Sequence, residues 1–320
     1  MDKILKQLGI KYSRIGEVST GYRNKSYPIH LPDNSIINFI LFKNEDMILE
    51  QIIRANRIGD YLAQSGFPSR RTIDSIKIIE LRNKRTGALR YGCFYEYLPG
   101  NTIPWESYSS KHIKSIGGKM GEMHRLIQDK ELKIENLPYE IEVQKRNNIK
   151  MEKYFSDESV IRAMSLKLKL KPVFDFGKFR KMLIELQSEE IQILHMDFVR
   201  GNILFDNSKN ITGVIDFEKV SFGPKIFDIA RTLSFLLVDC KHKKPSKTWK
   251  YFLYNGYKKR GNNSLPDLKY LHSLIQYFWI YDFYKFLKYN PYEFLNENNH
   301  FTRTKNFLVK LGLLEECISV

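Results

Sequence analysis

Residues 194–231 read LHMDFVRGNILFDNSKNITGVIDFEKVSFGPKIFDIAR and hold the residues best suited to chemistry. His195-x-Asp197-x4-Asn202 comes first, and Asp216-Phe217 follows. Apolar residues flank each polar group: Leu194 before, Ile203-Leu204 after, and Val214-Ile215 ahead of Asp216. Such flanks predict short buried strands whose ends present polar side chains and hold them still. Phosphoryl transfer needs a carboxylate to orient an attacking hydroxyl and accept its proton. It also needs oxygen ligands to hold magnesium against nucleotide phosphates. Asp197 suits the first task. Asn202 and Asp216, one neutral and one anionic oxygen donor, suit the second. His-x-Asp alone could equally be a capped turn; the longer pattern with its apolar flanks is specific.

The elements that must carry these residues fall into two parts. Residues 13–18, 25–30 and 35–42 read as strands, with Thr20-Gly21 and Pro32-Asp33-Asn34 as turns. A helical pattern over 45–64 lines up Ile48, Ile52, Ala55, Gly59 and Leu62, and Ser65-Gly66-Phe67-Pro68 stops it. Two more strands fit 75–81 and 89–97. Helices then dominate, at 109–128, at 176–187 and from Pro224 onward. Short strands at 191–194, 203–205 and 212–215 interrupt them. The aromatic-rich helix at 265–289 is read as core. The organisation expected is α+β: a small antiparallel-sheet lobe over 1–97 and a larger, mainly helical lobe over 98–320.

Composition narrows the class. Hydrophobic residues make up 42% and aromatics 13% of 320, enough for a packed core and too many for a disordered chain. The formal net charge is +16, but the basic clusters, such as Lys241-His242-Lys243-Lys244 and Lys258-Lys259-Arg260, are too short to be read as a nucleic-acid face. Cys93, Cys240 and Cys317 are far apart, so neither a disulfide framework nor a zinc site is expected, and Cys93 and Cys240 read as buried apolar residues. The first residues lack the apolar run of a signal peptide. Charges break every apolar stretch before the roughly 18 residues of a membrane span. A cytoplasmic protein with no membrane partner is expected.

The 194–231 segment resembles the catalytic core of the aminoglycoside phosphotransferase family, relatives of choline kinases and, more distantly, of protein kinases. Residues 117–126, GGKMGEMHRL, resemble the family's helix ending in a Leu-His-like pair. Residues 94–100, FYEYLPG, resemble its interlobe hinge, and 62–68 the end of the helix after the third strand. The resemblance implies a two-lobed protein kinase-like fold. It implies an enzyme that moves the γ-phosphate of ATP or GTP, with Mg2+, onto a hydroxyl of a small molecule such as a sugar, amino-sugar or alcohol. Asp197 becomes the catalytic base, Asn202 and Asp216 the metal ligands, and Asp228 and His195 braces of the catalytic loop.

On the nucleotide side the resemblance points to Lys43 as the phosphate-binding lysine. Glu50 is the obvious helix partner, although the helix end places the family's glutamate nearer residues 54–56, where none stands. Ser19-Thr20-Gly21-Tyr22-Arg23-Asn24 is the expected phosphate loop, with Gly21 and Asn24 at its turn. Adenine would lie against the backbone of Glu96 and Leu98 between Ile40 and Ile215. Glu218 reads as an exposed loop acid in preference to a further metal ligand. Arg200 is either a substrate contact or a surface arginine. Trp105 and Glu106 either rim the substrate site or pack at a helix start. The alternatives to a small-molecule kinase are a kinase for a macromolecular hydroxyl and a nucleotide-binding pseudokinase acting as an interaction module.

Overall fold

Short apolar runs punctuated by Gly, Pro and Asn open the chain, and they form antiparallel strands. In the computed structural model, which describes residues 1–21, 24–73, 78–82, 86–104, 106–128, 134–240 and 242–317, the order begins α1 (Asp2–Gln7), β1 (Arg14–Ile15), β2 (Ser19–Thr20), β3 (Lys25–His30), β4 (Ile36–Leu41), α2 (Ile48–Gln64), β5 (Ile79–Arg82) and β6 (Leu89–Glu96). It continues with α3 (Ser110–Leu126), α4 (Glu140–Phe155), α5 (Glu158–Ala163), β7 (Leu170–Pro172), α6 (Phe176–Glu185), β8 (Ile191–Leu194), β9 (Ile203–Phe205) and β10 (Ile211–Val214). Then come β11 (Ser221–Pro224), α7 (Ile226–Asp239), α8 (Pro245–Trp249), a π-helical stretch at Lys250–Lys258, α9 (Leu271–Tyr289), α10 (Asn299–Lys310) and β12 (Leu314–Glu316). Part of the strand expected over 75–81 lies outside the described residues, as do Tyr22, Arg23 and Trp105.

The chain divides into two compact units. The first takes in Met1–Thr102 and Gly201–Lys219, so it extends past residue 97 and includes a segment from later in the chain. Its sheet runs β1-β3-β4-β6-β5, with β2 added to β3, and every pairing is antiparallel. The alternation in β4 sends its side chains to two sides. Ile37, Phe39 and Leu41 pack with Leu5, Ile29 and Phe94. Ile40, with Phe42 just beyond the strand, packs with Cys93, Tyr95, and Ile48 and Ile52 of α2. Burying each such aliphatic or aromatic side chain contributes about 1.5–3 kcal/mol. α2 buries Ile48, Ile52, Ala55, Ile58, Gly59 and Leu62, the stripe its 3.6-residue period predicts. It ends at Ser65, followed by Gly66 at φ 79°, a left-handed position suited to glycine.

The β9–β10 hairpin belongs to the first unit because backbone bonds tie it there. Asn101 and Phe205 exchange hydrogen bonds at 3.0 and 2.9 Å. Val214 N–H donates to Pro68 O (2.7 Å) and Arg70 N–H to Val214 O (3.2 Å). The Thr212 hydroxyl donates to Pro99 O (2.6 Å).

The second unit is mainly helical. Ser109 caps α3, its hydroxyl accepting from the His112 amide while His112 Nδ1 accepts from the Ser109 amide. α3 then packs against the π-helical stretch at its glycines. A Cβ on Gly117 would sit 2.2 Å from Phe252 O, and one on Gly256 would sit 2.8 Å from Lys114 O. Only glycine permits that approach. α7 and α9 pack together, and Tyr277, Phe278, Trp279 and Phe283 are buried, so the aromatic helix is core. Cys93 and Cys240 are buried and free, as expected. Four strands had no counterpart in the sequence reading: β2, whose Thr20 was expected in a turn, β11, which pairs with β8, and β7 with β12. Each is two to four residues long, too short to show a period.

Candidate active site

Asp197 follows β8, whose Ile193 and Leu194 are buried and whose pairing with β11 sets Leu194 opposite Ser221. Beyond the strand the backbone turns sharply, with Met196 at φ 58°, a costly conformation for a side-chain-bearing residue. Asp228, in the first turn of α7 and fully buried, holds that turn. Its Oδ2 accepts from His195 N–H (2.8 Å) and its Oδ1 from Met196 N–H (2.6 Å). His124 Nε2 lies 3.0 Å from the same Oδ2, and His124 Nδ1 lies 2.8 Å from the Tyr257 hydroxyl. Burial pushes the Asp228 carboxyl up, but these partners outweigh it and hold its pKa below the usual range. Asp197 N–H donates to His195 Nδ1 (3.2 Å), and its carbonyl accepts from Val199 N–H (2.8 Å). Asp228 and His195 thus fix the loop by hydrogen bonding, and Asp197 itself is buried within the second unit.

Asn202 and Asp216 belong to the first unit. Asn202 precedes β9 and Asp216 follows β10. The antiparallel register pairs Ile203 with Val214, so both residues emerge at one end of the hairpin. Ile215 N–H donates to Asn202 O at 3.0 Å and closes that end. Asp216 adopts φ 64°, a second strained backbone position. An amide and a carboxylate, which both leave the same end of the hairpin, are hard oxygen donors of the kind a divalent magnesium ion accepts.

The nucleotide-side residues of the sequence reading are partly gathered. Asn24, Lys43 and Asp216 line one small cavity together with Gln51 and Glu218. Asn24 Oδ1 accepts from Lys43 N–H (3.3 Å), and Gly21 N–H donates to Asn24 O (2.9 Å), closing the turn. The Lys43 ammonium lies 3.7 Å from Glu45, so its described ion pair is with a neighbour in sequence. In the 54–56 window the Tyr95 hydroxyl donates to Asn56 Oδ1 (2.8 Å). Glu96 ends β6 opposite Ile37, its amide donating to Arg71 O (2.9 Å) and its carboxylate 3.7 Å from Arg71. Leu98 packs beside Gly213 of β10.

Glu218 departs from expectation. It is 6% exposed, not an exposed loop acid. Arg70 Nη2 donates to its Oε1 at 2.8 Å, and Arg70, 5% exposed, stacks 4.3 Å over the Tyr95 ring. Burial alone would raise the Glu218 pKa. The adjacent guanidinium more than reverses this, and Asp216 adds a smaller effect of the same sign, so Glu218 stays ionised. Phe217, its neighbour, is buried in the core. The sequence clue was Ser69-Arg70 directly after the helix stop, but no local rule ties it to a glutamate 148 positions away.

Acids of the second unit are likewise matched with bases. Arg231 forms a two-point pair with Asp282 at 2.8 and 2.9 Å and stacks on Phe235. Arg200 donates to Ile103 O (3.1 Å) and lies 3.8 Å from Asp239, which gives this loop arginine protein partners. Burial pushes the Asp239 carboxyl up to about 6, against the pull of Arg200. Glu106 pairs with Arg303 and lies 3.6 Å from His242.

Comparison with known proteins agrees with this arrangement. Residues 15–239 match the model of a family described as the phosphotransferase enzyme family. Among solved structures, the amicoumacin kinase hAmiN in complex with AMP-PNP, Ca2+ and Ami superposes with a TM-score of 0.68 at 14% identity, covering 95% of this chain and 93% of that one. A microcompartment-associated aminopropanol kinase gives 0.63 at 13% identity, covering 98% and 99%. Macrolide 2′-phosphotransferase from Brachybacterium faecium gives 0.55 at 15% identity, covering 94% and 95%. At such identities the likeness is one of fold, and it is the kinase-like fold that the sequence resemblance implied. No curated protein matches the chain. No helix among the described residues is long and apolar enough to cross a membrane.

Proposed function

Because this chain belongs to the phosphotransferase enzyme family, we propose that it transfers the γ-phosphate of ATP or GTP, as the magnesium complex, to a hydroxyl of a small molecule. The observation that carries this reading is the emergence of Asn202 and Asp216 at one end of a single hairpin. In this reading their oxygens hold the metal. Magnesium, when bound, neutralises charge on the phosphate oxygens. Gly21, Asn24 and Lys43 bear on the phosphates, and the backbone of Glu96 and Leu98 on the base. Asp197 orients the acceptor hydroxyl and takes its proton as the new O–P bond forms and the γ-phosphorus parts from the β-phosphate oxygen, which leaves with the nucleoside diphosphate. Asp228 and His195 do no chemistry; they hold the turn that presents Asp197. Little covalent work falls to the protein, so such positioning carries the rate.

The acceptor proposed is a sugar, amino-sugar or alcohol. Solved structures named as an aminopropanol kinase and a macrolide 2′-phosphotransferase support a small acceptor. The test is a library of hydroxyl compounds incubated with γ-labelled ATP and, separately, GTP in the presence of Mg2+, with Asp197→Ala as control. Label should pass to one chemical class and fail to pass with the variant. Absence of transfer to any compound, together with absence of magnesium-dependent nucleotide binding, would end the proposal.

A further inference from the structure

Tyr257 is fully buried on the π-helical stretch, and among the described residues its hydroxyl has one hydrogen-bond partner, His124 Nδ1 at 2.8 Å. Gly121 of α3 allows this meeting: a Cβ there would lie 2.7 Å from Tyr257 O. The two rings stand edge to face, with centroids 5.6 Å apart. Buried donors without an acceptor are rarer than acceptors with capacity to spare, so the phenol gives its proton to that nitrogen. Burial, helped by the Asp228 charge, pushes the phenol pKa up, and the proton is there to give. Nδ1 therefore presents a lone pair. On the other side of the ring, Nε2 lies 3.0 Å from Asp228 Oδ2, and an ionised carboxylate can only accept. The two contacts together specify one form of His124, neutral with its proton on Nε2.

That choice reaches the catalytic loop. Asp228 Oδ2 accepts from both His124 and His195 N–H, and Oδ1 accepts from Met196 N–H. With the proton on Nδ1 instead, the Nε2 lone pair would face Oδ2 and repel it. With protons on both nitrogens, the charged ring would draw Oδ2 away from His195. Either change turns the carboxylate against the two amides that hold the Met196 turn. We propose that Tyr257 is a positioning residue for phosphoryl transfer: its hydroxyl selects the Nε2–H form of His124, and through Asp228 that selection sets the turn presenting Asp197. The inference rests on the phosphotransferase reading above, which gives Asp197 its role. No local pattern joins Tyr257 to a histidine 133 positions away, so the link shows only in the fold.

The competing role for Tyr257 is packing alone, with the ring filling space and the hydroxyl incidental. Nitrogen-15 resonance of the protein labelled in its seven histidines separates the two. The signals that vanish in His124→Gln assign His124. In the wild type its Nε2 should carry the proton and its Nδ1 a lone pair, a result that needs no variant to fold. Tyr257→Phe keeps the ring and removes only the hydroxyl. It should move the His124 Nδ1 resonance, through loss of the hydrogen bond or gain of a proton, with an unchanged circular dichroism spectrum. On the acceptor found in the library above, kcat should fall about tenfold while KM for ATP stays within about twofold. A wild-type His124 protonated on both nitrogens, an unmoved Nδ1 resonance in the variant, wild-type kcat in the variant, or a KM that rises as kcat falls would each overturn the inference and leave the proposed function standing. Absence of phosphate transfer by the wild type to any compound would overturn both.

Discussion

Replacing Asp228 by Asn tests how far the geometry around Asp197 is imposed from outside the loop. The carboxylate accepts at three points: His195 N–H, Met196 N–H and His124. An amide keeps one oxygen. In its better orientation the oxygen faces His195 and His124, and the amide NH2 is driven against the Met196 N–H, donor against donor. One hydrogen bond to a charged acceptor is lost, worth about 1.5–3 kcal/mol, and a buried donor goes unsatisfied at about 1–3 kcal/mol more. The total, about 2.5–6 kcal/mol, is a large part of the roughly 5–15 kcal/mol that holds a domain together. At about 2–4 °C per kcal/mol the midpoint should fall by about 5–24 °C in a calorimetric melt. Met196 sits at φ 58° only while its amide is held, so the turn should relax and displace Asp197. A displacement near 1 Å costs about a hundredfold in rate. We therefore expect kcat, measured on the acceptor found by screening, to fall about a hundredfold. Affinity for AMP-PNP should change less than about threefold, since Asp228 brackets the loop and not the nucleotide residues. A variant that melts within 1 °C of wild type with unchanged turnover would refute the reasoning. So would nucleotide affinity that falls in step with kcat.

Asp216→Asn should abolish magnesium-dependent nucleotide binding in calorimetric titration, whereas Asp197→Asn should retain binding and lose turnover; equal loss of binding in both would contradict the division of roles. Asp239 keeps its proton to about pH 6 in the folded chain but releases it near its ordinary value of 3.8 when unfolded. The unfolded state therefore binds fewer protons in that window, and stability falls as pH rises through it, by about 1.4 kcal/mol per pH unit and about 3 kcal/mol in all. Asp239→Asn should accordingly gain stability over wild type between pH 4.5 and 7 in urea melts, and a pH-independent difference would disprove this. Gly117→Ala forces a methyl to within 2.2 Å of Phe252 O and should cost more than about 3 kcal/mol, well beyond the usual 1–3 for overpacking, because backbone must move. A melt unchanged from wild type would show that the helix pair is loosely packed.

The parts of this molecule that could be read in advance are those that sequence-local rules govern. β8 and β9 were placed to the residue because their apolar runs are short and bounded by polar clusters. α2 and α3 announced themselves by periodicity, and α2 by its glycine-proline stop. The positions of Asp197, Asn202 and Asp216 on strand ends followed from the same flanks. Glu218 was misjudged for an opposite reason. Its burial is set by Arg70, far away in sequence, and an acid after a polar loop ordinarily faces water. The assignment of residues 201–219 to the first unit was equally hidden, since it depends on backbone bonds from Pro68, Arg70 and Asn101 that leave no mark in side-chain pattern. Pairings such as Arg231 with Asp282 were invisible because each partner alone reads as an ordinary helical charge.

The close approach of α3 to the π-helical stretch reaches further than packing. His124 rides on the first of these elements and Tyr257 on the second, and the two side chains meet on the way to Asp228. The loop that presents Asp197 is therefore clamped to a helix pair whose fit is backbone against backbone. Such a joint has no soft side-chain layer to absorb small displacements, so it opens as a unit or not at all. The amide protons of His195 and Met196, both spent on Asp228, become built-in clocks for that opening. Their exchange with deuterium should keep pace with the amides of α3, and slow or quicken with them when the glycine seam is altered.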